Sequence, residues 1–355
     1  MRDPWNDSEL VRRFEEHAGA SLPRAPLNAA LCTTIAADRS LSSLLGHAPV
    51  TQQLPVLLLA AIHDQVLREP DRPLADWYPN LTPTPRDPHD PEFVGVLTSF
   101  VHERSPSILG TLTTRRVQTN EVGRCALFLP AFALVADDVG PLAHVDVGSS
   151  AGLTTLLPHY AYRYDDGPQI GHGPLIECST QGSGPVPVAI PDVVTARGID
   201  LHPIDPTDPT DARWLQACCW PDQTDRFQRL ADALAVARSH PPTVEEGNAL
   251  DEVGRVVSET AAGAHPVITT SWVLNYFEPE GRRAFVDRLE RVAQSTDLSW
   301  VIAESPAMTP ELPHGDGLVG EERTALTLVT WRDGERDARP LATCHPHGYW
   351  LHWHE

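Results

Sequence analysis

A short turn of small residues is the segment best suited to hold a ligand. The run Leu142–Val147 is typical of a β-strand, the turn Gly148–Gly152 follows it, and Leu153–Tyr160 is predicted to be a helix. A turn without bulky side chains brings backbone N–H groups close to a ligand at the positive end of a helix. The spacing is not G-x-G-x-x-G, so the dinucleotide-binding fingerprint is absent.

Ser149 and Ser150 give this turn a second interpretation. The nucleophilic serine of an α/β-hydrolase also lies on a turn between a strand and a helix. The sequence Gly148-Ser-Ser-Ala-Gly152 offers two such serines but no clear oxyanion motif. A serine hydrolase is therefore left open as an alternative function.

Histidines near the end of the chain are candidates for metal binding or for proton transfer. Imidazole is a common ligand of zinc and iron, and it also titrates near neutral pH. Gly348 interrupts the run, and no nearby acidic residue completes a familiar ligand set. We therefore predict no metal and keep His345 and His347 as candidate proton acceptors. The histidines of this run are His345, His347, His352 and His354.

The turn resembles the first motif of class I S-adenosylmethionine-dependent methyltransferases, an acidic residue followed by G-x-x-x-G. In that family the turn holds the amino-acid end of the cofactor. The resemblance therefore implies a set of cofactor-binding residues here, which are Asp146, Gly148, Ser149, Ser150 and Gly152.

Two later segments extend the resemblance. Methyltransferases place an acidic residue at the end of the second strand, where it accepts hydrogen bonds from the ribose hydroxyls. Asp200 matches this position better than its rival Glu177. Gly247-Asn-Ala249 resembles the segment near the adenine ring, so Asn248 and Ala249 are implied to bind the cofactor. Asn248 stands where aspartate is usual, and it is also a good helix N-cap.

Polar and aromatic residues in three segments are predicted to bind the substrate. Thr269–Phe277 follows a predicted strand, and open α/β sheets bind ligands at the carboxyl ends of their strands. Thr119–Arg124 precedes the first strand, and Trp220–Gln223 is a candidate lid. Helix capping and core packing are the alternative roles. The residues are Asn120, Glu121, Arg124, Trp220, Ser271, Trp272 and Asn275, with Tyr276 as a further catalytic candidate.

Taken together, the motifs resemble a mainly actinobacterial family known as domain of unknown function 2332. The resemblance covers roughly residues 10–353 and includes Trp220-Pro-Asp-Gln223 and His345-Pro-His-Gly348. It implies a fold similar to that of methyltransferases and supplies no reaction.

Composition excludes several classes of partner. The formal net charge of −21 argues against binding to nucleic acid or to an anionic membrane surface. The apolar run Leu54–Ile62 is far shorter than the roughly 20 residues of a membrane helix. There is no signal-peptide pattern and no CxxC pair. We therefore expect a cytoplasmic protein that acts on a small molecule.

The elements that must position these residues indicate an α/β protein. Residues 1–138 are predicted to form a helical N-terminal domain that shapes the substrate pocket. Residues 139–355 are predicted to form a Rossmann-like class I methyltransferase domain with a mainly parallel sheet and an insertion near 161–197. Ala325–Trp331 and Tyr349–Trp353 are expected to be antiparallel edge strands.

The leading functional hypothesis is methyl transfer from S-adenosylmethionine to an unidentified small molecule. Proximity and orientation supply much of the catalysis in such a transfer, so a dedicated base need not be visible in the sequence. A methyltransferase-like binding or regulatory protein without turnover is the alternative from another class, beside the serine hydrolase.

Overall fold

The structure is a computed structural model, and it describes residues 6–22, 24–261, 263–315 and 324–354. The chain folds into two compact units, Met1–Thr119 with Asp208–Ala231 and Asn120–Thr207 with Asp232–Glu355. Each unit combines two separate stretches of chain. None of the described helices is long and apolar enough to cross a membrane.

Helices make up the first unit and flank the sheet of the second. Helices α1 to α5, α7 and the start of α8 belong to the first unit, and α6, the end of α8, α9 and α10 belong to the second. The helices are α1 (Asp7–Ser21), α2 (Pro26–Ala37), α3 (Arg39–Ser42), α4 (Pro55–Arg68), α5 (Phe93–Thr114), α6 (Cys125–Val139), α7 (Pro209–Ala217), α8 (Thr224–Ser239), α9 (Ala249–Ala261) and α10 (Pro279–Ala293).

The first two helices begin at hydrogen-bonded caps, one formed by neighbouring residues and one by a distant residue. Asn6 caps α1 in a capping box with Glu9, which satisfies N–H groups that the first turn leaves free. Helix α2 has no cap of its own, and Asp222 supplies one from a distant part of the chain. Its carboxylate accepts hydrogen bonds from the N–H groups of Leu27 and Asn28 at 2.8 and 2.9 Å. The Trp220–Gln223 segment thus has a structural role within the first unit.

A single mixed sheet is the centre of the second unit. Its order is β3-β2-β4-β11-β10-β9-β8-β7-β1-β5-β6, and six of the ten neighbouring pairs of described strands are parallel. The strands are β1 (Leu142–Val147), β2 (Ala161–Tyr164), β3 (Ile170–Gly171), β4 (Leu175–Gln181), β5 (Val193–Asp200), β6 (Val244–Glu246), β7 (His265–Ser271), β8 (Leu298–Glu304), β9 (Thr324–Arg332), β10 (Glu335–Cys344) and β11 (Trp350–Trp353).

The core lies where α9 and α10 cover the parallel part of this sheet. Every residue of β1 and β8 is buried, which is typical of parallel strands covered on both faces. Phe285 of α10 packs edge-on against Trp300 of β8, with ring centroids 5.6 Å apart. Val253 and Val256 of α9 belong to the same apolar cluster. The expected α/β class with a mainly parallel sheet is confirmed.

Two expectations about the sheet edges were wrong. Strand β9 lies between β8 and β10, and β11 lies between β10 and β4, so neither is an edge strand. The edge moved because part of the predicted insertion, residues 161–197, supplies β2, β3 and β4 beyond β11. Strand β10 was missed because its first half, Glu335–Pro340, is charged and contains a proline.

The helix predicted after the turn is present as a 3₁₀ helix, Leu153–His159. It contains Pro158, which cannot donate a backbone hydrogen bond.

Candidate cofactor and substrate site

The candidate site lies in the second unit, at the carboxyl ends of its parallel strands. Five neighbouring parallel strands follow the order β6-β5-β1-β7-β8. After β1, the chain adds β5 and β6 on one side of this strand, and it then adds β7 and β8 on the other side. Open α/β sheets bind ligands where the strand order reverses in this way. The reversal point lies between β1 and β7, so the segments after these two strands form its centre.

The turn after β1 has a backbone that requires glycine. Gly148 and Gly152 have φ of 74° and 70°, and Ser150 also has a positive φ of 53°. A Cβ atom on Gly148 would lie 2.3 Å from Cγ2 of Val273. The side chain of Val273 therefore packs directly on the turn, in the space that only glycine leaves open.

Each backbone N–H of the turn already donates to an oxygen of the protein. The donors and acceptors are Gly148 and Ser149 to the Ile199 carbonyl (2.9 and 3.2 Å), Ser150 to Asp200 Oδ2 (2.8 Å), Ala151 to Asn120 Oδ1 (3.1 Å) and Gly152 to the Ser149 carbonyl (2.8 Å). The N–H groups expected to approach a ligand are thus engaged, because Asp200 and Asn120 come in from distant parts of the chain.

Asp146 lies beneath this turn and is buried. Its carboxylate accepts hydrogen bonds from the hydroxyls of Thr269, at 2.6 Å, and Thr154. Burial raises the pKa of Asp146, while these hydroxyls act in the opposite direction. The Thr269 hydroxyl also lies 2.8 Å from Nε2 of the buried His144. Asp146 thus ties β1 to β7 under the site.

Of the two acidic candidates for the ribose, Asp200 is the one beside the turn. Its Oδ2 accepts from Ser150 N–H, and its Oδ1 accepts from His202 N–H at 2.8 Å. Glu177 lies on β4, six positions from β1 in the sheet, where it is exposed and paired with Arg163.

The next strand brings the predicted adenine segment to the same place. The N–H of Gly247 donates to the carbonyl of Asp200 at 2.9 Å, so the segment 247–249 adjoins the end of β5. The Asn248 Oδ1 accepts from Leu250 N–H at 3.1 Å, which makes Asn248 an N-cap of α9. Asn248 is exposed and Ala249 is buried.

The segment before α6 contacts the turn from the other side. Asn120 holds it with both ends of its amide, since Nδ2 donates to Ser150 Oγ at 2.7 Å while Oδ1 accepts from Ala151. The guanidinium of Arg124 is buried, and it donates to the carbonyls of Pro346 at 2.8 Å and Ser271 at 3.0 Å. These bonds join the loop after β10 to the end of β7.

A buried carboxylic acid that sequence analysis missed completes this edge. Glu304 ends β8, and its Oε1 accepts from the N–H groups of Val273 and Leu274 at 2.9 and 3.2 Å. Burial raises the pKa of Glu304 to about 7, against these bonds and the positive charge of Arg124. The available signal was its position, an acidic residue directly after a predicted strand.

The remaining residues that were predicted to bind or act on the substrate lie in separate places. Trp272 has a φ of 54° and donates from its indole to Thr324 Oγ1 at 2.9 Å. Asn275 and Tyr276 are exposed, with 81% of the Tyr276 surface accessible. Trp220 belongs to the first unit, where its ring contacts His17 edge-on.

The C-terminal histidines are not grouped as metal ligands. In the described part of the chain, no three residues of the ligand-forming types lie close enough to hold a metal ion. His347 lies 3.5 Å from the buried carboxylate of Glu121, and His345 accepts from the N–H of His347. His354 is placed differently, 3.4 Å from Thr343 Oγ1.

Fold and site together define an α/β protein with a mainly parallel mixed sheet and a polar cluster at its carboxyl edge. The chain belongs to the family described as "Uncharacterized protein conserved in bacteria (DUF2332)", whose model matches residues 11–353. The predicted family is confirmed, while its description supports neither an actinobacterial restriction nor a similarity to methyltransferases. Neither the curated proteins nor the solved structures gave a match.

Proposed function

We propose that this protein transfers a methyl group from S-adenosylmethionine to a small molecule and that its second unit has a Rossmann-like methyltransferase fold. One observation carries the proposal. The three predicted cofactor segments follow three adjacent parallel strands, β1, β5 and β6, and therefore meet at one edge of the sheet. Asp200 is one hydrogen bond away from the turn after β1.

The residues at this edge fit the ribose of the cofactor. Asp200 is partly exposed, and each of its oxygens accepts one backbone hydrogen bond. A carboxylate has about four acceptor positions, so two are left for a pair of ribose hydroxyls. Asn248 and Ala249, at the end of β6, would lie against the adenine. Because the N–H groups of the turn are engaged, side chains must hold the amino-acid end of the cofactor.

In this mechanism the protein acts mainly by positioning the cofactor and the acceptor. The bound cofactor would supply a methyl group on a positively charged sulfur, which a nucleophile attacks directly. Ser271 ends β7 and Trp272 follows it, on the far side of the reversal point, where they would orient the acceptor. Holding two reactants in line removes much of the entropic cost of a bimolecular reaction.

Calorimetry with S-adenosylmethionine and S-adenosylhomocysteine tests this proposal. We expect micromolar binding to the wild-type protein and at least about tenfold weaker binding to Asp200→Ala, because hydrogen bonds to a charged acceptor are lost. Glu177→Ala is the matched control and should bind like the wild type. Circular dichroism checks that Asp200→Ala is folded. The proposal fails if the wild type does not bind either ligand at millimolar concentration. Binding without transfer to any acceptor would instead favour the non-catalytic alternative.

A serine hydrolase is the second candidate, because Ser150 has a positive φ on a turn between a strand and a helix. A hydrolase nucleophile is strained in the same way. The hydroxyl of Ser150, however, accepts a hydrogen bond from Asn120. A fluorophosphonate probe separates the candidates. Methyl transfer predicts no labelling of the wild type, whereas labelling that is lost in Ser150→Ala and kept in Ser149→Ala would establish the hydrolase.

A further inference from the structure

A cleft in the second unit shares none of its lining residues with the candidate site. Its volume is about 880 Å³, and small-molecule sites occupy roughly 300–1,000 Å³. Four stretches of the second unit line it: residues 158–159 at the end of the 3₁₀ helix, residues 171–174 between β3 and β4, Ile190, and residues 232–240 at the end of α8. The cleft is therefore formed within this one unit.

Two histidines that line this cleft stack on each other. The ring centroids of His159 and His240 lie 4.0 Å apart, and the ring planes are inclined by 20°. His159 is half-buried and His240 is exposed. One face of each ring is covered by the other ring. What each ring can offer to a ligand in the cleft is therefore its other face or its edge.

Two glycines hold one wall of the cleft in place. Gly173 has a φ of 125°, and a Cβ atom on it would lie 2.2 Å from the carbonyl oxygen of His159. Gly171 has a φ of 78°, and its added Cβ would lie 2.5 Å from Cδ1 of Ile190. Only glycine allows both the conformation and the close approach. This wall is therefore formed before a ligand arrives, which lowers the cost of binding.

The two stacked rings are poorly arranged to bind a metal ion. A metal binds an imidazole nitrogen in the plane of the ring, and two nearly parallel planes 4.0 Å apart do not converge on one ion. Burial lowers the pKa of His159, and the positive charge that His240 carries when protonated lowers it further. The ring of His159 is therefore largely neutral near pH 7, and it offers an aromatic surface rather than a charge.

The remaining lining residues disfavour an anionic ligand. The described residues that line the cleft include the carboxylate of Asp232 and no arginine, and the whole chain has a formal net charge of −21. An anion is attracted by a positive field, which these groups do not supply. Most of the other side chains are apolar, which is typical of sites for small organic molecules. They include Pro158, Pro174, Ile190, Ala235 and Val236.

We infer that this cleft is a second small-molecule site and that its ligand is an uncharged planar aromatic molecule that packs on the His159–His240 pair. Aromatic rings attract one another in offset-stacked and edge-to-face arrangements, beyond the effect of burial alone. A ring in the cleft extends the existing stack or meets its edge, while the apolar side chains cover the rest of the ligand. The site needs neither the cofactor nor the acceptor of the proposed methyl transfer.

A matched set of three compounds tests the class of ligand. The probe is 2-naphthol, and it is compared with decahydro-2-naphthol, which is not aromatic, and with 2-naphthoate, which is anionic. In protein labelled with ¹³C-histidine, the ring signals of His159 and His240 are assigned by their loss in His159→Asn and His240→Asn. We expect 2-naphthol to shift both signals with one dissociation constant below about 1 mM. The other two compounds should bind at least about tenfold more weakly.

Two outcomes of this titration overturn the inference. If 2-naphthol at millimolar concentration shifts neither signal, the cleft is not a site for an aromatic molecule. If decahydro-2-naphthol or 2-naphthoate binds as tightly as 2-naphthol, the cleft does not select an uncharged aromatic ligand. Neither result depends on whether the protein binds S-adenosylmethionine.

Substitutions in the wall of the cleft test the location of the site. Ala235 is exposed on α8, so Ala235→Glu adds a charged side chain to the cleft and leaves the core intact. Ala235→Glu and His240→Ala should each weaken the binding of 2-naphthol at least about tenfold, whereas His240→Phe, which keeps an aromatic ring, should stay within about threefold of the wild type. His89→Ala, at an exposed position in the first unit, is the matched control and should bind like the wild type. Circular dichroism checks that each variant is folded, and undiminished binding in Ala235→Glu or His240→Ala overturns the inference.

Discussion

Replacement of Gly148 by alanine is expected to destabilise the protein by about 3 kcal/mol. Two causes add together. The φ of 74° at Gly148 is unfavourable for any residue with a Cβ atom. The new Cβ would also lie 2.3 Å from Cγ2 and 2.7 Å from Cβ of Val273, so the segment after β7 must move. Denaturant unfolding measures the loss of stability. If the protein binds S-adenosylmethionine as proposed, calorimetry should show that this binding is lost as well.

Gly254→Ala is the matched control for this substitution. Gly254 is also in the second unit, within α9, and its added Cβ would lie 3.4 Å from Val292, close to ordinary contact. Alanine is preferred to glycine within a helix, so the control should be neutral or slightly stabilising.

A second substitution separates the two causes. Val273→Gly removes both overlapping atoms, so the combined variant should cost less than the sum of the two single variants. Strict additivity would show that Val273 does not lie against the turn.

The sequence was sufficient to predict those features that a short run of residues specifies. The turn after β1 was predicted from its run of small residues, whereas Asp200 was implied by the resemblance to methyltransferases. What engages the turn was not predictable. The bonds from Asn120 and Asp200 to Ser150 span 30 and 50 residues, and no local pattern specifies which distant side chain will cap a turn.

Parts of the fold could not be predicted from the sequence for a similar physical reason. Strands β2 to β4 join the far end of the sheet through β11, which lies at the other end of the chain. Period-two alternation identifies a strand that is half buried, but it does not specify the neighbours of that strand. Strand β10 has exposed charged residues in its first half and buried residues only from Leu341 to Cys344. The predicted edge strands were therefore wrong about position although they were right about strand type.

Glu304 shows what sequence analysis misses inside a site. An acidic residue after a strand is common in sequence, and only the structure shows that this side chain is fully buried. Its Oε1 accepts from Val273 and Leu274, while its Oε2 has no hydrogen-bond partner among the described residues. The acid therefore holds the segment that packs on Gly148, and its charge is poorly compensated.

The contribution of Glu304 to the stability of the protein is expected to fall between pH 5 and pH 8, because its carboxyl group ionises over this range. Burial raises the pKa of Glu304 from 4.5 to about 7 in the folded protein, so the folded state prefers the neutral acid. The stabilisation is complete below pH 4.5, the value in the unfolded chain, and is lost as pH rises through about 7. A shift of this size corresponds to about 3 kcal/mol.

Glu304→Gln isolates this effect, because glutamine has the shape of the neutral acid and does not titrate. Denaturant unfolding of the wild type and the variant at several pH values gives the difference between their free energies of unfolding. That difference should change by about 3 kcal/mol in favour of the variant between pH 5 and pH 8. The histidines titrate in both proteins and cancel, and Glu177→Gln, at an exposed position, should follow the wild type throughout. Parallel curves for the wild type and Glu304→Gln would mean that Glu304 is solvated or paired when ionised. Glu304 would then not hold the segment after β7 in a pH-dependent way.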